Sequence, residues 1–97
     1  MSALRGNSLH GRSLSEVTSA LSRVREAALD RALDPKNVRK GDWRLLSRDQ
    51  LFALLAEETR ELRWAVEDKE PLDRILSEAG DVVWCVAMIV DKVAMVK

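Results

Sequence analysis

Four carboxylates stand in two pairs, Glu58 with Glu61 and Glu78 with Asp81, where the hydrophobic pattern calls for core residues. The first pair follows the apolar run Leu51-Phe52-Ala53-Leu54-Leu55-Ala56, and the second follows Ile75-Leu76 and leads into the unbroken apolar stretch Val82–Val90. Residues three apart on a helix lie about 60° apart on one face, so each pair presents two acids together. If the break at Lys69-Glu70-Pro71 is a hairpin turn, Glu61 and Glu58 lie about 13 and 18 Å from it at the usual helical rise. On the same basis Glu78 and Asp81 lie about 12 and 17 Å up the other helix. Acids at equal heights on antiparallel neighbours converge, repel one another and hold their protons more tightly. A hard divalent cation relieves that repulsion, and an all-oxygen ligand set favours Mg²⁺ or Mn²⁺ over zinc. The competing reading makes them surface acids paired with Arg60, Arg63 and Arg74. A di-iron centre is disfavoured, because it wants Glu-x-x-His and the lone histidine is His10, far from either pair.

The elements that must position these acids follow from periodicity and caps. Ser47 and Gln50 form a capping box for a helix running to about Asp68, with a seam at 51, 55, 58, 62 and 65 in which Glu58 sits centrally. Pro71 suits the first turn of the next helix, whose seam is Ile75, Ala79, Val82, Val86, Ile89, Val93 and Val96. The β-branched residues of Val82–Val90 would suit a strand, but the four-three pattern continues on both sides. A helix apolar almost all round is buried on more than one side, which in a small chain implies a partner subunit. Upstream, Ser13 and Glu16 make another capping box, and Leu14, Val17, Leu21, Val24 and Ala28 describe an amphipathic helix to about Leu33, ended by Asp34-Pro35. That first helix reads as packing material, with nothing on it suggesting chemistry. The expected fold is all-α: an antiparallel bundle of three main helices, completed by oligomerisation into a dimer or tetramer of helical hairpins. Residues 1–12 read as a flexible leader and 13–97 as a single helical domain.

Bulk properties bound the function. Ninety-seven residues with an apolar fraction of 46% make one small domain. The net charge is zero, yet residues 1–48 hold ten Lys/Arg against five Asp/Glu and residues 49–97 hold six against eleven. That balance argues against a nucleic-acid binder with a dominating basic face and leaves room for a local basic patch. The lone Cys85 sits in the apolar run as a small buried hydrophobe, which suits a reducing compartment. The leader has no apolar h-region and Val82–Val90 is too short to span a bilayer, so a cytoplasmic protein is expected. Between the first two helices, Lys36, Arg39, Lys40, Arg44 and Arg48 surround Trp43. This segment is either a phosphate or nucleotide contact or a solvated loop with Trp43 folded onto the core, and residue types alone lean to the latter.

Glu58-x-x-Glu61, sixteen residues, then Glu78-x-x-Asp81 resembles the ExxE…ExxD signature of the MazG-like nucleotide pyrophosphohydrolases, the all-α NTP pyrophosphatase superfamily. Leu54-Leu55-Ala56-Glu57-Glu58-Thr59-Arg60-Glu61-Leu62 and Glu78-Ala79-Gly80-Asp81-Val82-Val83-Trp84 are similar to its motif surroundings, and Lys40-Gly41-Asp42-Trp43 to stretches upstream in short members. The likeness covers about residues 36–92. It implies a hydrolase that converts a nucleoside triphosphate, the deoxy form expected, to the monophosphate and pyrophosphate, in nucleotide-pool house-cleaning. It implies Mg²⁺ (with Mn²⁺ a substitute) held by Glu58, Glu61, Glu78 and Asp81. Glu57 would position or deprotonate the attacking water, or else be an outward-facing helix acid. Lys36, Lys40 and Arg44 would neutralise the triphosphate tail and Trp43 would stack on the base. The chain departs from the pattern at Trp84, where some members have Asn. Larger members also continue into a further basic helix, so that cationic role falls to Lys92, to the basic segment or to a neighbouring subunit. The alternatives are a non-catalytic helical interaction module and a degenerate nucleotide-binding member of the family.

Overall fold

A computed structural model describes residues 11–35, 37 and 43–95. The leader up to His10, and the lysines Lys36 and Lys40, lie outside the described residues. Three helices make up the fold: α1 (Leu14–Leu33), α2 (Arg48–Glu67) and α3 (Leu72–Met95), with a 3-10 turn at Trp43–Leu45 ahead of α2. Both expected capping boxes form. The Ser13 hydroxyl accepts from the Glu16 N–H at 3.2 Å while Glu16 accepts from the Ser13 N–H at 2.8 Å. Ser47 and Gln50 repeat the exchange at 3.0 and 2.8 Å. Each box satisfies two N–H groups that would otherwise have no partner at a helix start. At the other end of α1, Asp34 is extended, as a residue before proline must be.

The hairpin turn falls where the sequence places it. The Glu70 N–H donates to Ala65 O at 3.0 Å and the Lys69 N–H to Val66 O at 3.1 Å, with Lys69 in the left-handed region at φ 56°. This is the two-bond helix stop in which glycine usually takes the left-handed position. The Pro71 carbonyl then accepts from the Ile75 N–H at 3.1 Å, so α3 starts at once and runs back along α2.

α3 is the shared element. It packs on both α1 and α2, whereas the described parts of α1 and α2 do not pack on each other. Three faces of α3 explain its nearly continuous apolar character. Toward α2, Cys85 and Met88 bury against Leu51, with Trp43, Leu46, Leu54, Leu55, Trp84 and Ile89 closing round them. Toward α1, Gly80 lets the backbones approach so closely that a Cβ there would lie 2.7 Å from the carbonyl carbon and oxygen of Ala27. The remaining face, Val83, Val86, Val90 and Val93, is 38 to 62% exposed.

The α2 seam lies as expected, with Leu51 and Ala65 buried and Leu55, Glu58 and Leu62 half-buried. The α3 seam does so in part: Ile75, Ala79, Val82 and Ile89 are half-buried, Val86 and Val93 point outward, and Val96 lies outside the described residues. The fully buried apolar positions are Cys85 and Met88, one residue or more round the helix. Along Val82–Val90 every residue is apolar, so periodicity there has nothing to orient by; the small side chains at 80 and 85 decide which sides admit neighbours. In α1, Leu14 and Leu21 are 71 and 67% exposed, and only Ala28 is buried. The radius of gyration, 15.5 Å, exceeds the about 12.5 Å of a compact chain of this length. The smallest dimension, 21 Å, is about two helix diameters. Among the described residues no helix is long and apolar enough to cross a membrane.

Two substitutions test this arrangement. Alanine gains about 1 kcal/mol over glycine inside an ordinary helix, but a Cβ at position 80 meets fixed backbone, and overpacking of that kind costs about 2–3 kcal/mol. Gly80→Ala is therefore expected to lower the unfolding free energy by about 1–2 kcal/mol in urea titrations; a neutral or stabilised variant would refute the close approach. Lys69→Gly removes the left-handed strain and should raise stability by about 0.5–1 kcal/mol, less than the strain itself because glycine also loosens the unfolded chain.

Candidate metal centre

The α2–α3 hairpin carries acids inward for a reason visible in the packing. Glu58 lies midway between Leu51 and Ala65, the two buried residues of α2, and seven-residue steps keep all three on one side of a helix. On α3, Glu78 and Asp81 step by three and four into Cys85 and Met88, which face the same cleft. Glu58, Glu78 and Asp81 each offer a carboxylate oxygen, and those oxygens lie within 4.8 Å of one another. The side chains of Glu78 and Asp81 are only 13 and 15% exposed. Glu58 Oε1 is buried and has no hydrogen-bond partner among the described residues.

These acids line a cavity of about 650 Å³ together with Glu57 and Glu61. Glu61 stands outside the trio of converging oxygens but adds its charge to them. Glu57 is exposed at the rim. Burial first, and then the charges of Asp81, Glu61, Glu78 and Glu57, push the Glu58 carboxyl from an ordinary 4.5 to about 7. Glu78 is also raised, by burial first and then by Asp81 and Glu61, with Arg74 and Arg31 pulling the other way.

Two arginines offset part of this charge. Arg74 donates to Glu78 Oε2 at 3.2 Å and to Glu70 Oε1 at 3.1 Å. Arg31, from α1, donates its Nε to Asp81 Oδ1 at 2.7 Å. Of the arginines considered as surface partners, Arg74 does reach a site acid. Arg63 instead pairs with Glu67 and Arg60 lies over the Trp64 ring. Arg31 was not anticipated, because α1 read as packing material alone. Its trace in the sequence is spacing: Ala27 and Arg31 are four apart and share a face, and a small residue able to meet Gly80 carries the guanidinium to the neighbouring Asp81. Asn37 was likewise passed over; it lines the cavity and donates its Nδ2 to the Arg31 carbonyl at 2.6 Å.

Trp43 lines the cavity and packs edge-on against Trp84, centroids 6.2 Å apart and planes at 79°. Arg44 and Lys92 are not among the cavity walls. The Lys92 ammonium donates to the Arg44 carbonyl at 2.9 Å, which ties the Trp43–Leu45 turn to the end of α3.

The donor set fits a hard divalent cation: oxygen only, partly shielded from water, with one buried oxygen lacking any partner. No protein-family model, curated protein or solved structure matches the chain.

The electrostatics make a directional prediction. Folded Glu58 keeps its proton up to about 7, whereas an unperturbed carboxyl releases it near 4.5. Between those values the folded state binds more protons than the unfolded one, so stability falls as pH rises through that window. Thermal melts of the metal-free protein should show that fall from about pH 4.5 to about 7, and Glu58→Gln should flatten it. An unchanged slope in the variant would place the effect elsewhere.

Proposed function

We propose that the chain is a Mg²⁺-dependent nucleoside triphosphate pyrophosphohydrolase of the MazG-like kind, converting a nucleoside triphosphate and water to the monophosphate and pyrophosphate. The observation that carries this reading is the convergence of Glu58, Glu78 and Asp81, together with a buried Glu58 oxygen that has no partner among the described residues. Three acids meeting in a half-buried cleft destabilise the fold, so their placement makes sense if they hold an ion. Glu58, Glu78 and Asp81 are the ligands, and Glu61 reaches the same cavity as the fourth. A divalent ion there supplies positive charge to phosphate oxygens and makes a nearby water more acidic.

The chain's own residues supply the rest. Glu57 at the rim accepts the proton of the attacking water. That water bonds to the α-phosphorus as the α–β anhydride bond breaks and pyrophosphate leaves. Trp43 and Trp84 offer aromatic surface at the same cavity, and with tryptophan at position 84 the base is held by stacking rather than by an amide. Deoxyribonucleotides are the expected substrates and nucleotide-pool house-cleaning in the cytoplasm the expected setting. The exposed leucines of α1 and valines of α3, and the expanded shape, support self-association to a dimer or tetramer, since patches of this kind are normally covered.

The alternative of an interaction module rests on those same exposed residues, and the two readings part at Glu58. Incubation with each nucleoside triphosphate and Mg²⁺, followed by a pyrophosphate assay, should show turnover of at least one. Glu58→Gln should stay folded by circular dichroism while metal affinity and turnover fall by about 100-fold or more, since even residues behind the ligands are worth 10–100-fold. No turnover of any triphosphate, with Glu58→Leu more stable than the wild type, would establish the module instead.

A further inference from the structure

Among the described residues, the cavity is poor in the charge its proposed substrate requires. Glu57, Glu58, Glu61, Glu78 and Asp81 all line it, and among the described residues Arg31 is the only cation that does. A single divalent ion added to that set still leaves a negative sum when the acids are ionised, so a polyphosphate entering it meets repulsion unless a fixed cation faces it. Arg44 and Lys92 are not among the walls. We infer that Arg31 is a phosphate-binding residue of the site, holding Asp81 through its Nε and a phosphate oxygen of the substrate through its terminal nitrogens. The inference rests on the pyrophosphohydrolase reading and adds to it a residue outside both acidic motifs.

Three features place Arg31 for this role. Its Nε is committed to Asp81 Oδ1 at 2.7 Å, which fixes the plane of the guanidinium. The terminal NH1 lies 3.7 Å from Asp34 Oδ2, beyond hydrogen-bond length, so donors on the terminal nitrogens remain for another acceptor. The side chain is 34% exposed, open enough for a ligand to reach. Its backbone is held as well, by Asn37 on its carbonyl and by the Ala27–Gly80 contact one turn earlier. A planar fork that serves a carboxylate on one edge and a phosphate on another is arginine's particular ability; a lysine ammonium offers a point charge only.

The test separates phosphate binding from support of the metal ligand. Calorimetry would measure Mn²⁺ affinity, and then the affinity of the Mn²⁺-loaded protein for inorganic tripolyphosphate, a probe with no base to confuse the result. In Arg31→Gln, Mn²⁺ affinity should stay within about 3-fold, while tripolyphosphate affinity should fall by about 10- to 100-fold, the usual worth of hydrogen bonds to a charged group. Arg31→Lys should bind tripolyphosphate between the two. Unchanged tripolyphosphate affinity in Arg31→Gln overturns the inference and leaves the metal reading standing. A fall in Mn²⁺ affinity that matches the fall for tripolyphosphate also overturns it, by showing that Arg31 only orients Asp81. If the wild type takes up no Mn²⁺, the functional reading fails and the inference goes with it. Should Arg31→Gln not fold, Arg31→Lys decides alone: Mn²⁺ affinity kept with weaker tripolyphosphate binding supports the inference, and both unchanged refutes it.

Discussion

Three carboxylates with oxygens inside 4.8 Å of one another, in a cleft that excludes much of the water, cannot all remain ionised without positive charge beside them. The rest of the structure can be understood as the means of supplying that charge. Arg31 and Arg74 provide some of it from the protein. Among the described residues Glu58 receives none: its buried oxygen has no partner and its proton is held to about 7. The protein thus keeps one acid poised between neutral and charged, the state that a hard cation would tip toward charged.

α3 makes this possible by serving three neighbours at once. The face Glu78, Asp81, Cys85, Met88 and Lys92 looks toward α2 and the Trp43 turn. Gly80 opens a second face to α1, and Val83, Val86, Val90 and Val93 form a third. Absence of a side chain at Gly80 is what allows α1 near enough for Arg31 to reach Asp81. The glycine between Ala79 and Asp81 in the motif region therefore has a packing role that bears directly on the electrostatics beside it.

Much of this was legible in the residues and some was not, for reasons that differ by element. The caps at Ser13 and Ser47 are local chemistry, readable within four residues, and both formed. The meeting of Glu58 with Glu78 and Asp81 was readable because a short hairpin ties height on one helix to height on the other. Nothing comparable ties α1 to α3: some forty residues lie between Arg31 and the helix it joins, and no count of helical rise crosses a loop of unspecified path. The outward face of α3 was illegible for another reason. Along Val82–Val90 every side is apolar, so hydrophobicity there carries no direction, and the orientation comes from side-chain size at 80 and 85. Lys92 shows a third limit: the resemblance offers it as a cation, and residue type carries no sign that its ammonium donates to the Arg44 carbonyl.

The same features explain why so small a core coexists with so costly a site. Only Ala28, Leu51, Ala65, Cys85 and Met88 are buried apolar residues among those described. Fully burying a side chain such as Leu51 contributes about 2 kcal/mol, and few others match it. An acid in the centre of the α2 seam replaces a position that could have added a similar amount. The valine face of α3 and the leucines of α1 are the reserve from which that loss can be recovered, because they sit on sides of the helices away from the cavity. Assembly through those sides would add apolar burial without closing the cleft. Stability and chemistry would then draw on different faces of one helix, and both demands together would account for the nearly all-round apolar character of Val82–Val90.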